Sequence, residues 1–310
     1  MLRCRLRGGT RASTRNSSAR VRDTVSMNSP RIMRIDAHQH FWDLSRFPYK
    51  WMPTSPSPIR RNFLPEDLQP ILERNRFDGS VVVQATTDAG EGPWLLDLAK
   101  RYPFILGVVA WVDLTDPQLG KTLDTLQADG KFRGVRHPVH DEPDNRWLLR
   151  ADVLQGLKEL ERRKIPYDLL LRPQHLPVAI ELLDKVPSLQ MVIDHIAKPL
   201  IAKQQTMGWA KDMERMAQAR NVYVKLSGMI TEAEPKKWTA DHLKPYVQHT
   251  YKLFGPDRCM FGSDWPVCLL AGIWKEVLAG FTQALGPLPQ DTRNRVMGDT
   301  AARFYGLQRP

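Results

Sequence analysis

Short apolar runs alternate with longer amphipathic stretches along the chain from Met33 onward. Runs such as Val81-Val82-Val83 are continuous rather than alternating, which is typical of strands covered on both faces of a sheet. The runs recur at the spacing of repeated strand-and-helix units. The pattern predicts eight strands, at residues 34–36, 80–84, 105–112, 134–136, 167–171, 191–194, 222–226 and 259–261.

Helical periodicity fills the intervals between these runs. It predicts helices at 65–75, 93–102, 117–128, 151–163, 176–186, 208–219, 237–254 and 272–284, with a last helix near 290–305 packed on the outside. Eight strand-and-helix units predict an α/β fold, a single-domain (β/α)8 TIM barrel over residues 33–310. A doubly wound open sheet is the competing architecture, but it normally has a glycine-rich turn after the first strand, where this chain has His38-Gln39-His40.

One long loop interrupts the repeated pattern. Residues 43–62 contain four prolines together with Tyr49 and Trp51, and they have no helical periodicity. Loops of this length inside a compact domain are often functional. We interpret the segment as an aromatic flap over the barrel mouth, the alternative being a loose surface excursion.

Composition and charge narrow the classes of function. Hydrophobic residues make up 42% of the chain, enough for a large core. No run of about 18 apolar residues predicts a membrane span. The net charge is +11, but the eight arginines and one aspartate of residues 1–32 contribute +7 of it and leave +4 for the rest. Nucleic-acid binding is therefore not expected from charge.

The first 32 residues are rich in Arg and Ser and poor in acids, a composition typical of a mitochondrial transit peptide. The alternative is a disordered extension, with the functional chain beginning near Met27 or Met33. Three cysteines, Cys4, Cys259 and Cys268, are too few for a disulfide framework and suit a reducing compartment. We expect a cytoplasmic protein, or a mitochondrial one if the leader is a transit peptide.

Two histidines, His38 and His40, stand two residues apart where the first predicted strand ends. Side chains at this spacing point to the same side of a strand, so both can reach one ion. The flanking Ile35, Phe41 and Trp42 indicate a buried strand that delivers polar groups into a pocket. The pair could equally be two polar residues leaving a strand, so partners elsewhere in the chain decide.

Two other strands are followed by candidate partners for the two histidines. In a barrel, the loops at the carboxyl ends of the strands build the site. His195 follows the sixth strand, and Asp264 follows the eighth. Three imidazoles and a carboxylate suit Zn²⁺ or Mn²⁺ with an open position for water. Water bound to such an ion ionises with a pKa of about 7, and Asp264 could take its proton as general base. The structural alternatives are a hydrogen-bonded core histidine and a turn-forming aspartate.

Other strand ends carry candidates for holding the substrate. Arginine grips carboxylates in a fork, and a lysine can stabilise a developing oxyanion. Lys225 is the candidate for the second role, alongside His195 and Asp264 as catalytic residues. Candidate substrate-binding residues are Arg136, His137, His140, Arg172 and Trp265. Each alone could be an ordinary exposed residue, and their common position at strand ends is what favours a role.

Together these motifs resemble the amidohydrolase superfamily, in its amidohydrolase-2 lactonase branch. Five stretches over about residues 33–308 carry the resemblance: Asp36-Ala37-His38-Gln39-His40-Phe41-Trp42, Gly134-Val135-Arg136-His137, Asp194-His195-Ile196-Ala197-Lys198-Pro199, Lys225-Leu226-Ser227-Gly228 and Gly262-Ser263-Asp264-Trp265-Pro266. The resemblance implies a TIM-like barrel that hydrolyses lactones. Members similar in residues 136–144 act on sugar lactones such as L-fuconolactone or L-rhamnonolactone, which implies a role in carbohydrate metabolism such as L-fucose degradation.

Two departures from the wider superfamily bear on the metal. Two-metal members carry a carboxylated lysine or a glutamate on strand four, where this chain has Arg136-His137. They also carry a histidine on strand five, where it has Arg172-Pro173. These differences favour one metal or none. Some lactonases of this branch are thought to work without metal, and the three histidines would then polarise the carbonyl and steer water towards Asp264.

Three other functions compete with a lactonase acting on a small molecule. A sister branch with similar motifs is made of metal-dependent decarboxylases of aromatic acids. A barrel family of metal-dependent nucleases also has a His-x-His pair on its first strand. A nuclease would be expected to have a basic rim, whereas most of the excess positive charge here lies in residues 1–32. The chain could also be an inactive barrel that serves as a binding module. The presence of every polar strand-end residue that hydrolysis needs argues against the last.

Overall fold

Eight parallel strands in sequence order form a barrel wall in the computed structural model, which describes residues 33–54 and 56–309. The strands are β1 Ile35–Gln39, β2 Gly79–Val83, β3 Ile105–Ala110, β4 Phe132–His137, β5 Tyr167–Leu169, β6 Met191–Ile193, β7 Val222–Leu226 and β8 Cys259–Phe261. The predicted TIM barrel is confirmed. Predicted and observed strands coincide best where the apolar run is bounded sharply, as in β7 and β8.

Helices occupy the intervals where periodicity predicts them. They are α1 Pro65–Arg74, α2 Glu91–Arg101, α3 Leu119–Gln127, α4 Ala151–Arg163, α5 Leu176–Leu183, α6 Trp209–Gln218, α7 Met229–Glu232, α8 Ala240–Phe254, α9 Trp274–Leu285, α10 Gln290–Asn294 and α11 Thr300–Tyr305. The single turn α7 was not predicted. No helix among the described residues is long and apolar enough to span a membrane.

Alternate residues of the strands serve two separate cores. Val82 of β2 packs outward against the helical layer, whereas its neighbours Val81 and Val83 face the barrel interior. Both cores are continuous and apolar, which explains why the strands read as unbroken hydrophobic runs.

The barrel closes between β1 and the segment that follows β8. The Asp264 amide donates to the His38 carbonyl at 2.8 Å, and the His40 amide donates to the Trp265 carbonyl at 2.7 Å. A parallel bridge joins Gln39 to Trp265 between them. The hydrogen bonds that close the barrel are therefore made by the residues predicted to form the site.

The C-terminal helix differs from its prediction. Its span is right, because α10, a π-helical turn Arg295–Asp299 and α11 follow one another without a break. However, α11 does not pack on the outside of the barrel. Phe304 packs against Tyr223 of β7 with ring centroids 4.7 Å apart, and both Phe304 and Tyr305 join the core inside the barrel. The helix closes the amino-terminal end of the barrel, because the apolar interior would otherwise be open to water there.

The predictions for residues 1–32, a transit peptide or a disordered extension, fall outside the described residues, as does Cys4. The associated predictions of cytoplasmic or mitochondrial location stay predictions. The two other cysteines, Cys259 and Cys268, are buried free thiols.

Removing the Tyr305 hydroxyl tests the closure by α11. This hydroxyl donates to the carboxylate of Asp168 inside the barrel at 2.8 Å. Tyr305→Phe is expected to lower the free energy of unfolding by about 2 kcal/mol, because a buried hydrogen bond to a charged group is lost. Urea denaturation measures the change. Tyr102→Phe is the control, since that hydroxyl donates to Glu66 at the surface and its loss should change little. Equal effects of the two substitutions would contradict the closure.

Candidate active site

Four side chains meet where the barrel closes: His38, His40, His195 and Asp264. The Nε2 atoms of His38 and His40 lie 3.2 Å apart. Oδ1 of Asp264 lies 3.3 Å from His40 Nε2, 3.7 Å from His195 Nε2 and 3.8 Å from His38 Nε2. The structure therefore brings together the residues that the sequence suggested as metal ligands.

The two histidines of β1 have different surroundings. Nδ1 of His40 donates to the Val83 carbonyl at 2.8 Å, so Nε2 carries the lone pair when this ring is neutral. Nε2 of His38 lies 3.2 Å from Nη1 of Arg136, and Nδ1 of His38 lies 3.1 Å from Nζ of Lys225. Both cations can only donate, so a neutral His38 accepts a hydrogen bond from one of them. Nε2 of both imidazoles lies beside the Asp264 carboxylate, a set of donor atoms that suits a cation.

Burial sets the charge of the cluster. It lowers the pKa of His38 well below its ordinary value and lowers that of His195 to about 3. Burial alone would raise the pKa of Asp264, but His195 and the hydrogen bond with His40 outweigh it and the pKa lies below the usual range. At neutral pH the histidines are neutral and the carboxylate is ionised.

Two glycines from the motifs make room for the histidines. A Cβ on Gly228 would lie 2.5 Å from His195 Nδ1, and a Cβ on Gly262 would lie 2.7 Å from the Cβ of His38. Gly228 also has a φ of 61°, in the left-handed region that favours glycine. The glycines of the Leu-Ser-Gly and Gly-Ser-Asp stretches therefore serve close packing around the imidazoles.

A left-handed turn carries His195 into the site. Four consecutive residues, His195 to Lys198, have φ between 47° and 60°. Such a run is costly for residues other than glycine, roughly 1–2 kcal/mol each. The Lys198 amide donates to the His195 carbonyl at 2.8 Å and the Trp209 indole donates to the Ile196 carbonyl at 2.7 Å. These bonds hold the turn, and His195 Nδ1 lies 2.9 Å from the Ser227 hydroxyl.

Beneath the histidines lies a buried set of charges: Asp168, Asp194, Lys225 and Arg136. Nζ of Lys225 lies 2.5 Å from Asp168 and 3.0 Å from Asp194, and Arg136 donates to the other oxygen of Asp194 at 3.1 Å. Two carboxylates face two cations, so no net charge is buried. Asp168 was not among the predicted site residues, although an acid inside the apolar run 167–171 is a signal for a buried ion pair.

A cavity of about 750 Å³ opens above the cluster. Segments that follow every strand except β3 line it. The predicted site residues that reach the cavity are His40, Arg136, His140, Arg172, His195 and Asp264. His38 lies just below, within the cluster.

Besides His38, three predicted site residues do not line the cavity. Lys225 is fully buried and lies under His38, with its Nζ 3.1 Å from Nδ1. His137 stacks on Trp147 at 4.0 Å and pairs with Glu142 at 2.6 Å, behind the cavity wall. Trp265 packs between Phe41 and Phe63, because its backbone belongs to the barrel closure. Their positions behind or beneath the cavity wall do not support the predicted contacts with substrate.

The long loop covers the cavity as predicted. Pro48, Lys50 and Trp51 line it, and the Trp51 indole donates to the Ala85 carbonyl at 2.6 Å. Trp42 packs edge-on against Trp51 with ring centroids 5.6 Å apart. These contacts fix the flap against the loop that follows β2.

Glu91 is a functional candidate that the sequence analysis missed. It begins α2, is fully buried and accepts hydrogen bonds from the Ala85 amide at 3.0 Å and the Thr86 amide at 3.2 Å. Ala85 and Thr86 line the cavity, so Glu91 holds this part of the wall. Burial raises the pKa of Glu91 to about 8 despite the amide donors.

Comparison with known proteins places this geometry in a family. The Amidohydrolase family model matches residues 35–307. The chain belongs to the amidohydrolase family. An L-fucono-1,5-lactonase from Burkholderia ambifaria is 38% identical over 89% of this chain and 97% of its own length. A second L-fucono-1,5-lactonase, from Burkholderia multivorans, is 34% identical over 90% of this chain and 97% of its own length.

A solved structure agrees with the family assignment. A crystal structure of a Burkholderia multivorans amidohydrolase with bound zinc has a TM-score of 0.83 and 33% identity, and the match covers 89% of this chain and all of that one. The resemblance inferred from the motifs is confirmed, as is the expectation that this amidohydrolase-family enzyme is a hydrolase.

The raised pKa of Glu91 gives a pH-dependent stability. Between pH 4.5 and 8 the folded protein holds a proton on Glu91 that the unfolded chain releases, so the stabilising contribution falls as the pH rises. The decline is at most about 1.4 kcal/mol per pH unit. Glu91→Gln cannot titrate. The free energy of unfolding of wild type minus that of Glu91→Gln should therefore fall from pH 5 to pH 8 in urea melts. A difference that stays constant with pH would contradict this assignment.

Proposed function

We propose that this protein is a sugar lactonase that opens an aldonolactone such as L-fuconolactone by attack of water on the ring ester. The observation that carries the proposal is the Asp264 carboxylate, whose Oδ1 lies within 3.8 Å of three imidazole Nε2 atoms at the floor of a cavity of about 750 Å³. The lactonase relatives, which match nearly the whole chain, support the substrate class. A role in L-fucose degradation follows as part of the same proposal.

Asp264 is the general base in this mechanism. It removes a proton from the attacking water as the oxygen adds to the lactone carbonyl, and it returns that proton to the ring oxygen when the carbon–oxygen bond breaks. Because the pKa of Asp264 is low, it accepts a proton from ordinary water poorly. The mechanism therefore needs a nearby positive charge that acidifies the water and stabilises the carbonyl oxygen.

The residues at the cavity floor fit a divalent ion. The Nε2 atoms of His38 and His40 and the Asp264 carboxylate are 3.2–3.8 Å apart. Ligands at ordinary zinc distances in a tetrahedron are separated by about 3.3 Å. His38, His40 and Asp264, with His195 beside them, would hold one Zn²⁺ or Mn²⁺. Such an ion lowers the pKa of water and polarises a carbonyl.

Arg136 is the other source of positive charge, and it would allow metal-independent catalysis. Its Nη1 contacts the same Nε2 of His38 that an ion would use. Its Nη2 donates to both oxygens of Gln84, so the guanidinium is held against the cavity floor. In this version the three histidines and Arg136 orient water and carbonyl without an ion.

The remaining predicted residues take supporting roles in the proposal. Arg172 and His140 line the cavity and provide donors for substrate oxygens. Lys225 acts as a positioning residue, because it balances Asp168 and Asp194 and lies against His38. It supports the cluster from below and does not touch the substrate.

Asp264→Asn tests the general base. The amide cannot accept the proton, so kcat for lactone opening should fall by at least about 10²-fold while folding is retained. Acid release on an aldonolactone measures the rate, and thermal melting checks the fold. Asp257→Asn is the matched control, because Asp257 pairs with Arg295 on the surface. A normal rate in Asp264→Asn would remove this residue from the mechanism.

Metal binding is tested separately from activity. Calorimetric titration of chelator-treated protein with Zn²⁺ is expected to show one ion per chain, and His40→Ala should abolish binding, because it removes one of the three converging ligand atoms. Unchanged binding in His40→Ala would contradict the ligand assignment. A full hydrolytic rate in metal-free protein would assign the positive charge to Arg136.

A further inference from the structure

An ion pair on the cavity wall has no part in the mechanism above. Nζ of Lys198 lies 2.8 Å from Oε1 of Glu232, and both residues line the cavity. The two side chains are 16% and 19% exposed, so the pair is partly shielded from bulk water yet open to a ligand. Neither residue was predicted as part of the site.

The left-handed turn explains why Lys198 is placed there. In a turn with three residues per repeat, residues three apart lie on the same side. His195 and Lys198 are three apart, and both face the cavity. Lys198 is also close enough to His140 and His195 for its charge to add to the effect of burial in lowering the pKa of both. The strained backbone therefore delivers a second polar side chain beside the reacting groups.

The chemistry of the pair matches adjacent hydroxyl groups. Lys198 has three N–H donors and needs one for Glu232, so two remain to donate to a ligand oxygen. The second oxygen of Glu232 is free of hydrogen bonds to the described residues and can accept from a ligand hydroxyl. A donor and an acceptor side by side suit two hydroxyls on neighbouring ring carbons. The pair carries no net charge, which favours a neutral lactone over an anion.

We propose that Lys198 and Glu232 form a hydroxyl-recognition subsite that selects lactones bearing adjacent hydroxyl groups. This inference rests on the proposed lactonase function and specifies its substrate. The pair is a specificity determinant: it binds the ring substituents, while Asp264 and the histidines act on the ester.

A structural role predicts a different pattern of effects. If the pair only stabilised the left-handed turn, its loss would displace His195 and slow every lactone equally. If it recognises hydroxyls, its loss slows only lactones that carry them, because the unsubstituted ring never used the pair. The comparison of two substrates therefore separates the two roles.

The kinetic test compares Lys198→Met and Glu232→Gln on L-fucono-1,4-lactone and on γ-butyrolactone, which has no hydroxyl groups. Each variant should lose about 10- to 100-fold in kcat/KM on the hydroxylated lactone, the cost of a lost hydrogen bond to a charged group. The rate on γ-butyrolactone should change less than twofold. Equal losses on both substrates would overturn the subsite.

Two controls exclude indirect effects. Lys237→Met breaks a surface ion pair with Glu234 and should leave both rates unchanged. The double variant Lys198→Met, Glu232→Gln leaves no unpaired charge, and it should remain as selective against the hydroxylated lactone as the single variants. If kcat/KM on the hydroxylated lactone returned to the wild-type value in the double variant, an unpaired charge would have caused the loss in the single variants. This result would overturn the proposal.

Binding of a neutral lactam separates this inference from the lactonase function. L-fuconolactam presents the same hydroxyls but resists hydrolysis, so calorimetry reads the subsite without turnover. Both variants should bind it at least about tenfold more weakly than wild type does. Unchanged lactam affinity would overturn the subsite even if lactones are hydrolysed. Weaker lactam binding would support it even if wild type hydrolyses no lactone, a result that would reject only the proposed function.

Discussion

The closure of the barrel between its first and last strands is the constraint on which the site depends. The same few residues make the closing hydrogen bonds and carry the reactive side chains: the Asp264 amide bonds His38, and the His40 amide bonds the carbonyl after Asp264. Asp36 strengthens this junction, since its carboxylate accepts from the Ser263 amide at 2.8 Å and the Trp274 indole at 2.9 Å. The imidazole pair and the carboxylate cannot separate without opening the barrel.

Charge balance below the junction joins the catalytic end of the barrel to its opposite end. Asp168 accepts from Tyr305 of the C-terminal helix and pairs with Lys225, which also pairs with Asp194; Asp194 in turn faces His38 and Arg136. Each buried charge has a partner of opposite sign, without which burial would be very unfavourable. The C-terminal helix thereby contributes to the orientation of His38, although it lies at the other end of the barrel.

The fold and the central cluster were predictable from the sequence because both leave strong local signals. Unbroken apolar runs marked the strands, and polar residues at their ends marked His38, His40, His195 and Asp264. How deep a side chain lies below the cavity was not predictable in this way. Arg136 and Lys225 are each the next-to-last residue of a strand, yet the first lines the cavity and the second lies beneath it. Hydrogen bonds between residues far apart in the sequence were not predicted either, such as the one from Tyr305 to Asp168. The left-handed turn at His195 was hidden because its residues are not glycines.

The most direct measurement is a pH-stat assay of the purified protein with a panel of aldonolactones, combined with detection of CO2 from aromatic acids. A lactonase should release one acid equivalent for each lactone opened, in a catalysed and saturable reaction, with fuconolactone among the substrates and no CO2. Absence of acid release across the panel, together with CO2 from an aromatic acid, would contradict the lactonase and establish a decarboxylase on the same barrel. Absence of both reactions would instead favour an inactive barrel that binds without catalysis.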